Sequence, residues 1–442
     1  MTEETHSLNS TVASDIEELY VVNTKLDSGL EVVCVRLPHA HRTVIELFTR
    51  VGSRFDPRGL GGISHFLEHM LYRGTETRPT PHALAHGFER LGGSLEAATS
   101  VDHGILSLDL PTQNVIEALP LFCEVFRKPV LHGIDIERGI VREEILESLD
   151  DDGKLVDADE IGRLLSFGEH RLGQPITGSL KEVERFDLEA LRAHHQERYV
   201  TASTVFCMAG PLPSEAILTL LNEGFRGHPA GRRPEIQAPE EQHESRFRFV
   251  PHVSSQTELR LVFRSPGQHD ATEPAIELLL RILDDGMSTR LYQRICNTLG
   301  LCYDVSAYYE TWQDCGVIEV AADCAHERAE ALLNELLELM LRLREDGPTD
   351  EEFTQARQRH EWQLAQMFDD PGEVAAFHGF SRLAGIAPTV RARLNEVNAV
   401  TLRDVREAAR RILTSEGLSV VAVGQQPKRL RTQLERAVTT YK

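Results

Sequence analysis

The chain repeats itself. Thr43–Arg50, TVIELFTR, returns loosely as Thr257–Arg264, TELRLVFR. His103–Asp109, HGILSLD, pairs with Cys315–Ala321, CGVIEVA, and Ser203–Gly210, STVFCMAG, pairs with Gly417–Gly424, GLSVVAVG. Each match is weak alone. Their shared offset, near 213 residues and drifting by a residue or two, is the signal. A repeat of this length means a repeated structural unit, and 442 residues exceed what one ordinary core encloses. The joint falls at 227–242, rich in Gly, Pro and charge. The first half opens with strands over Val21–Leu26, Glu31–Leu37 and Thr43–Val51. Alternating helices and a later strand pair follow. The expected class is α+β: two tandem homologous domains, 19–226 and 243–442, each an antiparallel-rich sheet with helices packed on one face. Residues 1–18, polar and acidic, read as a flexible tail.

Composition narrows the setting. Hydrophobic content of 41% and charged content of 26% suit a water-soluble globular protein. No run of 18 apolar residues appears, so no membrane partner is expected. The start of the chain lacks the basic and apolar segments of a signal peptide. Cys34, Cys123, Cys207, Cys296, Cys302, Cys315 and Cys324 are odd in number and form no C-x-x-C. Together these point to reduced thiols in a cytoplasm. The net charge of −22 argues against nucleic acid. It serves solubility first, and would also suit basic peptides.

One pentapeptide carries chemistry. His65-Phe66-Leu67-Glu68-His69 places two imidazoles one helical turn apart on one face, where both can hold one metal ion. Glu68 falls beside them, within reach of a water on that ion. H-x-x-E-H is the HExxH zinc motif reversed. Gly59-Leu60-Gly61-Gly62 leads into Ile63-Ser64, a helix start with serine as the expected cap. Phe66, Leu67, Met70 and Leu71 give the helix an apolar face to bury. His82 and His86 also stand four apart, but read as a solvated face, and His194-His195 as a helix-end pair. Neither a GxSxG elbow nor a P-loop is present.

A catalytic zinc takes three protein ligands and keeps one position open. The best source of a third is the run 137–147, where Glu137 and Glu144 lie seven apart, two turns, on one helix face. Ile140 and Val141 fall between them near that face, and Ile145 continues its apolar side. Read by itself, such a run is more often a charged surface helix.

At this point the chain resembles the inverzincin zinc metallopeptidases of the pitrilysin, insulinase and mitochondrial processing peptidase type, in a short two-domain, bacterial-like form. Besides the motif, the resemblance rests on 56–62 (DPRGLGG), 73–75 (RGT), 168–178 and 203–210. In that family a Glu-x6-Glu helix follows about 75 residues after the motif, and Glu144 lies 75 positions after His69. The resemblance implies one Zn2+ per chain held by His65, His69 and Glu144. It makes Glu68 the general base and Glu137 the acid supporting the ligands. The second half holds no motif: Leu278–Asp285 stands in its place and Arg357 at the position of Glu144.

The resemblance also implies substrate contacts. Gly92–Ser100 matches the edge strand that pairs with peptide, with Glu96 where the family has asparagine, followed by Ala97, Ala98 and Thr99. Tyr303 matches the tyrosine of an Arg-x6-Tyr element, and Cys296 stands where its arginine should be. The implied function is a zinc endopeptidase acting on peptides or unfolded segments in an enclosed chamber. That chamber needs four such domains. The implied assembly is therefore a homodimer, or a heterodimer with a zinc-free homologue. The alternative is a non-catalytic or partner-dependent peptide-binding subunit.

Overall fold

A computed structural model of the chain describes residues 21–386, 389–425 and 429–442. The expected tail, 1–18, lies outside the described residues. Strands β1 (Val21–Lys25), β2 (Glu31–Arg36) and β3 (Arg42–Thr49) meet the sequence expectation to within two residues at each end. With β4 (Ser94–Thr99), β5 (Gly104–Pro111) and β6 (Thr204–Gly210) they form one sheet, ordered β1-β2-β6-β3-β5-β4. Only β2 and β6 pair in parallel; the other pairs are antiparallel. The second sheet comprises β7 (Arg246–Pro251), β8 (Thr257–Pro266), β9 (Val305–Thr311), β10 (Cys315–Cys324) and β11 (Leu418–Gly424), ordered β7-β11-β8-β10-β9. Strand for strand this repeats β2-β6-β3-β5-β4, including the one parallel pair. The three sequence matches fall on β3 and β8, β5 and β10, and β6 and β11. The duplication is therefore one of topology.

The longer α-helices of the first half, among the described residues, are α1 (Ile63–Leu71), α2 (Pro81–Glu89), α3 (Val115–Arg127), α4 (Ile134–Glu147), α5 (Ala158–Phe167), α6 (Leu188–Arg198) and α7 (Ser214–Gly224). Those of the second are α8 (Glu273–Leu283), α9 (Ala329–Asp346), α10 (Asp350–Gln366), α11 (Pro371–Ala384), α12 (Val390–Ala399), α13 (Leu402–Ile412) and α14 (Leu430–Thr440).

The strands of each sheet come from one side of 227–242, while the compact units interleave along the chain. One compact unit takes the chain up to Ile145, Pro175–Ile236 and Trp362–Arg393; the other takes Leu146–Gln174, Gln237–Glu361 and Leu394–Lys442. Thus α11, encoded in the second half, packs on β3 and β6 of the first sheet. There Gly379 lies so close to the Phe48 ring that a Cβ would fall 2.1 Å from it. Arg382 bonds Glu31 at 2.6 Å, and Arg50 donates to the Leu383 carbonyl at 2.5 Å. In return α5 packs on β8 and β11, burying Ala158 and Ile161 against Val250, Val421 and Val423. Val420 and Ala422, the alternating residues of β11, face the main core of that unit, with α8, α9 and α13. The central strands are thus buried on both faces, as their unbroken apolar runs require. The two exchanged helices begin 213 residues apart (371 − 158), the period of the repeat, so they are equivalent elements.

Candidate metal centre

The loop before α1 builds the site from below. Gly62 adopts the left-handed region, φ 85°, and a Cβ there would fall 2.2 Å from the Thr177 carbonyl oxygen. Ser64 is not the cap. The Asp56 carboxylate accepts from the backbone N–H of Gly62 at 2.7 Å and of Ser64 at 3.2 Å, serving the donors that open the helix. The Ser64 hydroxyl is buried instead, bonded to Asp56 Oδ1 at 2.6 Å and to His194 Nε2 at 2.9 Å. Burial pulls His194 down to about 3, so it is the neutral ring that sits there. His195 Nε2 bonds the Phe126 carbonyl at 2.9 Å. Both histidines are taken up in structure, as a helix-end pair would be.

Ile63, Phe66, Leu67, Met70 and Leu71 of α1 are buried. That fixes the helix's rotation and turns His65 and His69 together toward α4, their ring centroids 4.7 Å apart. On α4, Glu137, Val141 and Ile145 are buried, one every fourth position, while Ile140 is 49% exposed. Both apolar residues flank the glutamate pair, Val141 on its buried side and Ile140 on its exposed side.

His65 Nε2 stands 3.4 Å from Glu144 Oε1, and His69 Nε2 stands 3.5 Å from Glu144 Oε2. The three residues offer ligand atoms within 4.8 Å of one another, the only such group of His, Cys, Asp and Glu among the described residues. Ligands bound at about 2.1 Å around a tetrahedral ion stand about 3.4 Å apart. Two imidazoles and one carboxylate are also the donor set of a hydrolytic zinc, with one position left over. The residues present fit that ion.

Behind the ligands, Glu137 Oε2 lies 3.4 Å from His69 Nδ1, and Arg73 Nη1 donates to Glu137 Oε1 at 3.1 Å. The contact orients the His69 ring so that Nε2 faces Glu144. Hydrogen bonds from His65 and then His69 hold the Glu144 carboxyl far below the usual carboxylate range. Burial alone would depress His69; its bonds to Glu137 and Glu144 override that and lift it to about 9.

Glu68 is half-buried on α1, and its Oε2 accepts a 2.6 Å hydrogen bond from Thr99 Oγ1. Thr99 ends β4, which among the described residues pairs only with β5 and so leaves one edge of the sheet free. Along β4, Leu95, Ala97 and Thr99 are half-buried, while Glu96 and Ala98 are exposed. His65, Glu68, His69, Glu137, Glu144 and the whole of β4 belong to one unit; Tyr303, 93% exposed, belongs to the other. His82 and His86 stack on exposed α2 with centroids 6.3 Å apart, and no third ligand joins them among the described residues.

Sequence reasoning missed Arg73, Thr99 as a partner of Glu68, and Asp56 as the cap. Arg73 could have been found as the residue one turn beyond His69. Asp56 had its signal in an acid just ahead of a glycine-rich helix start. Nothing local marks the Thr99 contact.

The model of the insulinase family, peptidase family M16, matches residues 31–159, and that of the peptidase M16 inactive domain matches 185–359. An uncharacterised zinc protease of Mycobacterium tuberculosis is 30% identical over 434 residues, covering 94% of this chain and 96% of that protein. A peptidase M16 inactive domain from Pseudomonas fluorescens superposes with a TM-score of 0.85 at 20% identity, covering 92% of this chain and 98% of its own. A protease from Helicobacter pylori gives 0.85 at 19% identity, covering 92% and 99%. The chain belongs to the insulinase family of peptidases, family M16.

Proposed function

We propose that this chain is a zinc-dependent endopeptidase that hydrolyses peptides or unfolded segments. The observation that carries the reading is the convergence of His65, His69 and Glu144 with a tethered Glu68 on the same helix face. Zinc, held by those three residues, would supply Lewis acidity and lower the pKa of a water. Glu68 takes the proton of the attacking water and delivers it to the leaving amine. Thr99 holds one Glu68 oxygen, leaving the other for that proton. Glu137, fixed by Arg73, keeps His69 in place. The free edge of β4 supplies backbone N–H and C=O groups for an extended substrate, with Glu96 presenting a carboxylate where the family has asparagine. The relatives named zinc proteases support the same chemistry.

Two copies would supply the four units of the family's chamber, so the reading includes a homodimer, with a zinc-free homologue as the other candidate partner. The seven scattered cysteines, odd in number and without C-x-x-C, fit reduced thiols in a cytoplasm. A second reading, a partner-dependent or non-catalytic subunit, is favoured by Cys296 in place of the family arginine and by the inactive-domain match over 185–359.

Digestion of a mixed peptide library by the purified zinc-loaded chain, read by mass spectrometry with Glu68→Gln as control, separates the two. Cleavage by the wild type alone supports the endopeptidase. Cleavage only after a second protein is added supports the partner-dependent subunit, and equal products from both variants remove Glu68 from its role.

A further inference from the structure

Five of the seven cysteines are buried; Cys296 and Cys302 are the two that reach solvent. Their sulfurs lie 4.0 Å apart. The local fold brings them together. Tyr292–Thr298 is a π-helical turn, anchored by fully buried Ile295. Gly300 then reverses the chain at φ 57°, a conformation that glycine adopts without strain. The Gly300 N–H bonds the Cys296 carbonyl at 3.1 Å, and the Leu301 N–H bonds the Ile295 carbonyl at 3.0 Å. These bonds return Cys302 to the side of Cys296. A disulfide needs about 2.05 Å between sulfurs, so closure asks for about 2 Å of approach at side chains that are half-exposed.

We propose that Cys296 and Cys302 form a thiol–disulfide exchange site that closes on reaction with a low-molecular-weight disulfide such as oxidised glutathione. The Cys296 thiolate attacks one sulfur of the reagent, forming a mixed disulfide and releasing one thiol. Cys302 then gives up its proton, attacks Cys296 Sγ and expels the second thiol. One protein disulfide forms as one reagent disulfide is reduced to two thiols. The order of attack follows from exposure: burial, then the neighbouring Cys296, pushes Cys302 up to about 12, whereas Cys296 is the less buried of the two.

The closed ring would pin the turn immediately before Tyr303, which is 93% exposed and leads into β9 at Val305. Its consequence for catalysis rests on the peptidase reading and on Tyr303 touching substrate. There, oxidation raises KM by about threefold or more and leaves kcat in place.

The full-length zinc-loaded chain is incubated with oxidised glutathione, trapped with iodoacetamide, and cut after arginine and before aspartate. This releases Ile295–Tyr303, a peptide holding only these two cysteines. The expected product carries no alkyl groups, is lighter by two hydrogens, and reverts to the dialkylated form after dithiothreitol. Cys302→Ser should instead retain a glutathione adduct on Cys296. Persistence of the dialkylated wild-type peptide, or of a wild-type glutathione adduct that never closes, overturns the site. An unchanged KM in the oxidised enzyme overturns its link to Tyr303. A chain that closes the disulfide yet cleaves nothing in either redox state counts against the peptidase reading alone.

Discussion

Thr99 Oγ1 donates a 2.6 Å hydrogen bond to Glu68 Oε2. It joins the last residue of an edge strand to the one acid of the motif helix, 31 positions away in sequence. The strand proposed to receive substrate thus also sets the orientation of the proposed base. Removing the hydroxyl by Thr99→Val should lower kcat by about tenfold to a hundredfold, the value of a hydrogen bond to a charged acceptor. Thr99→Ser should recover most of it. Steady-state kinetics on a peptide cleaved by the wild type decide this. Equal loss in the serine variant would mean the strand's packing matters and the bond does not.

Glu68→Gln should keep zinc at one ion per chain while lowering kcat by at least about a hundredfold. Elemental analysis beside the rate measurement checks both halves of the statement.

The two glutamates of α4 should separate in metal binding. Glu144→Gln removes the charge that both imidazoles face and should leave the purified protein largely without zinc. Glu137→Gln removes only the group behind His69 and should weaken zinc by about tenfold to a hundredfold. Competition against a chromophoric chelator measures the difference. Stoichiometric tight zinc in the Glu144 variant would displace it as a ligand.

Glu46 predicts a pH dependence away from the metal. Burial lifts its carboxyl to about 7, with only the Ser107 hydroxyl at 3.2 Å to offset the cost. Between its ordinary 4.5 and about 7 the unfolded chain releases this proton while the folded chain keeps it. Stability is therefore full below 4.5, falls across that window and levels off above it. Glu46→Gln should abolish the fall, gaining up to roughly 3 kcal/mol at pH 8 and little at pH 5. Urea midpoints at the two pH values give the answer; an equal gain at both would point to packing.

Gly379→Ala should cost about 1–3 kcal/mol, because the added carbon would fall 2.1 Å from the Phe48 ring. Phe48→Leu, which shortens the ring, should recover part of the loss in the double variant. A neutral Gly379→Ala would show that α11 can shift outward from β3 without loss.

Much of the centre was legible because its signals are local. The histidine pair and Glu68 declare themselves through helical spacing on one element, whereas the Glu137–Glu144 pair, by itself a charged surface helix, is singled out by the family resemblance. The repeat likewise exposed the strands, since β3, β6 and their partners β8 and β11 keep their apolar pattern in both halves. What sequence could not carry were contacts across chain distance. Arg73 reaches Glu137 over 64 positions, and Ser64 reaches His194 over 130. Spacing puts Ile140 and Val141 equally near the glutamate pair, and which of the two is buried depends on what packs against the helix. The exchange of α5 and α11 left no local trace either, as each helix has an apolar face that would suit either sheet.

That exchange governs the order in which the protein can be made. The strands of the first sheet, and the metal ligands, have all left the ribosome by Gly210, yet the helix that seals Phe48 and Arg50 is not synthesised until Pro371–Ala384. For the intervening stretch of translation the nascent first half carries its zinc ligands on a sheet with one face open. Only a chain extended through Ala384 can close it. A messenger truncated anywhere before that helix therefore yields a first sheet whose Phe48 and Arg50 stay uncovered.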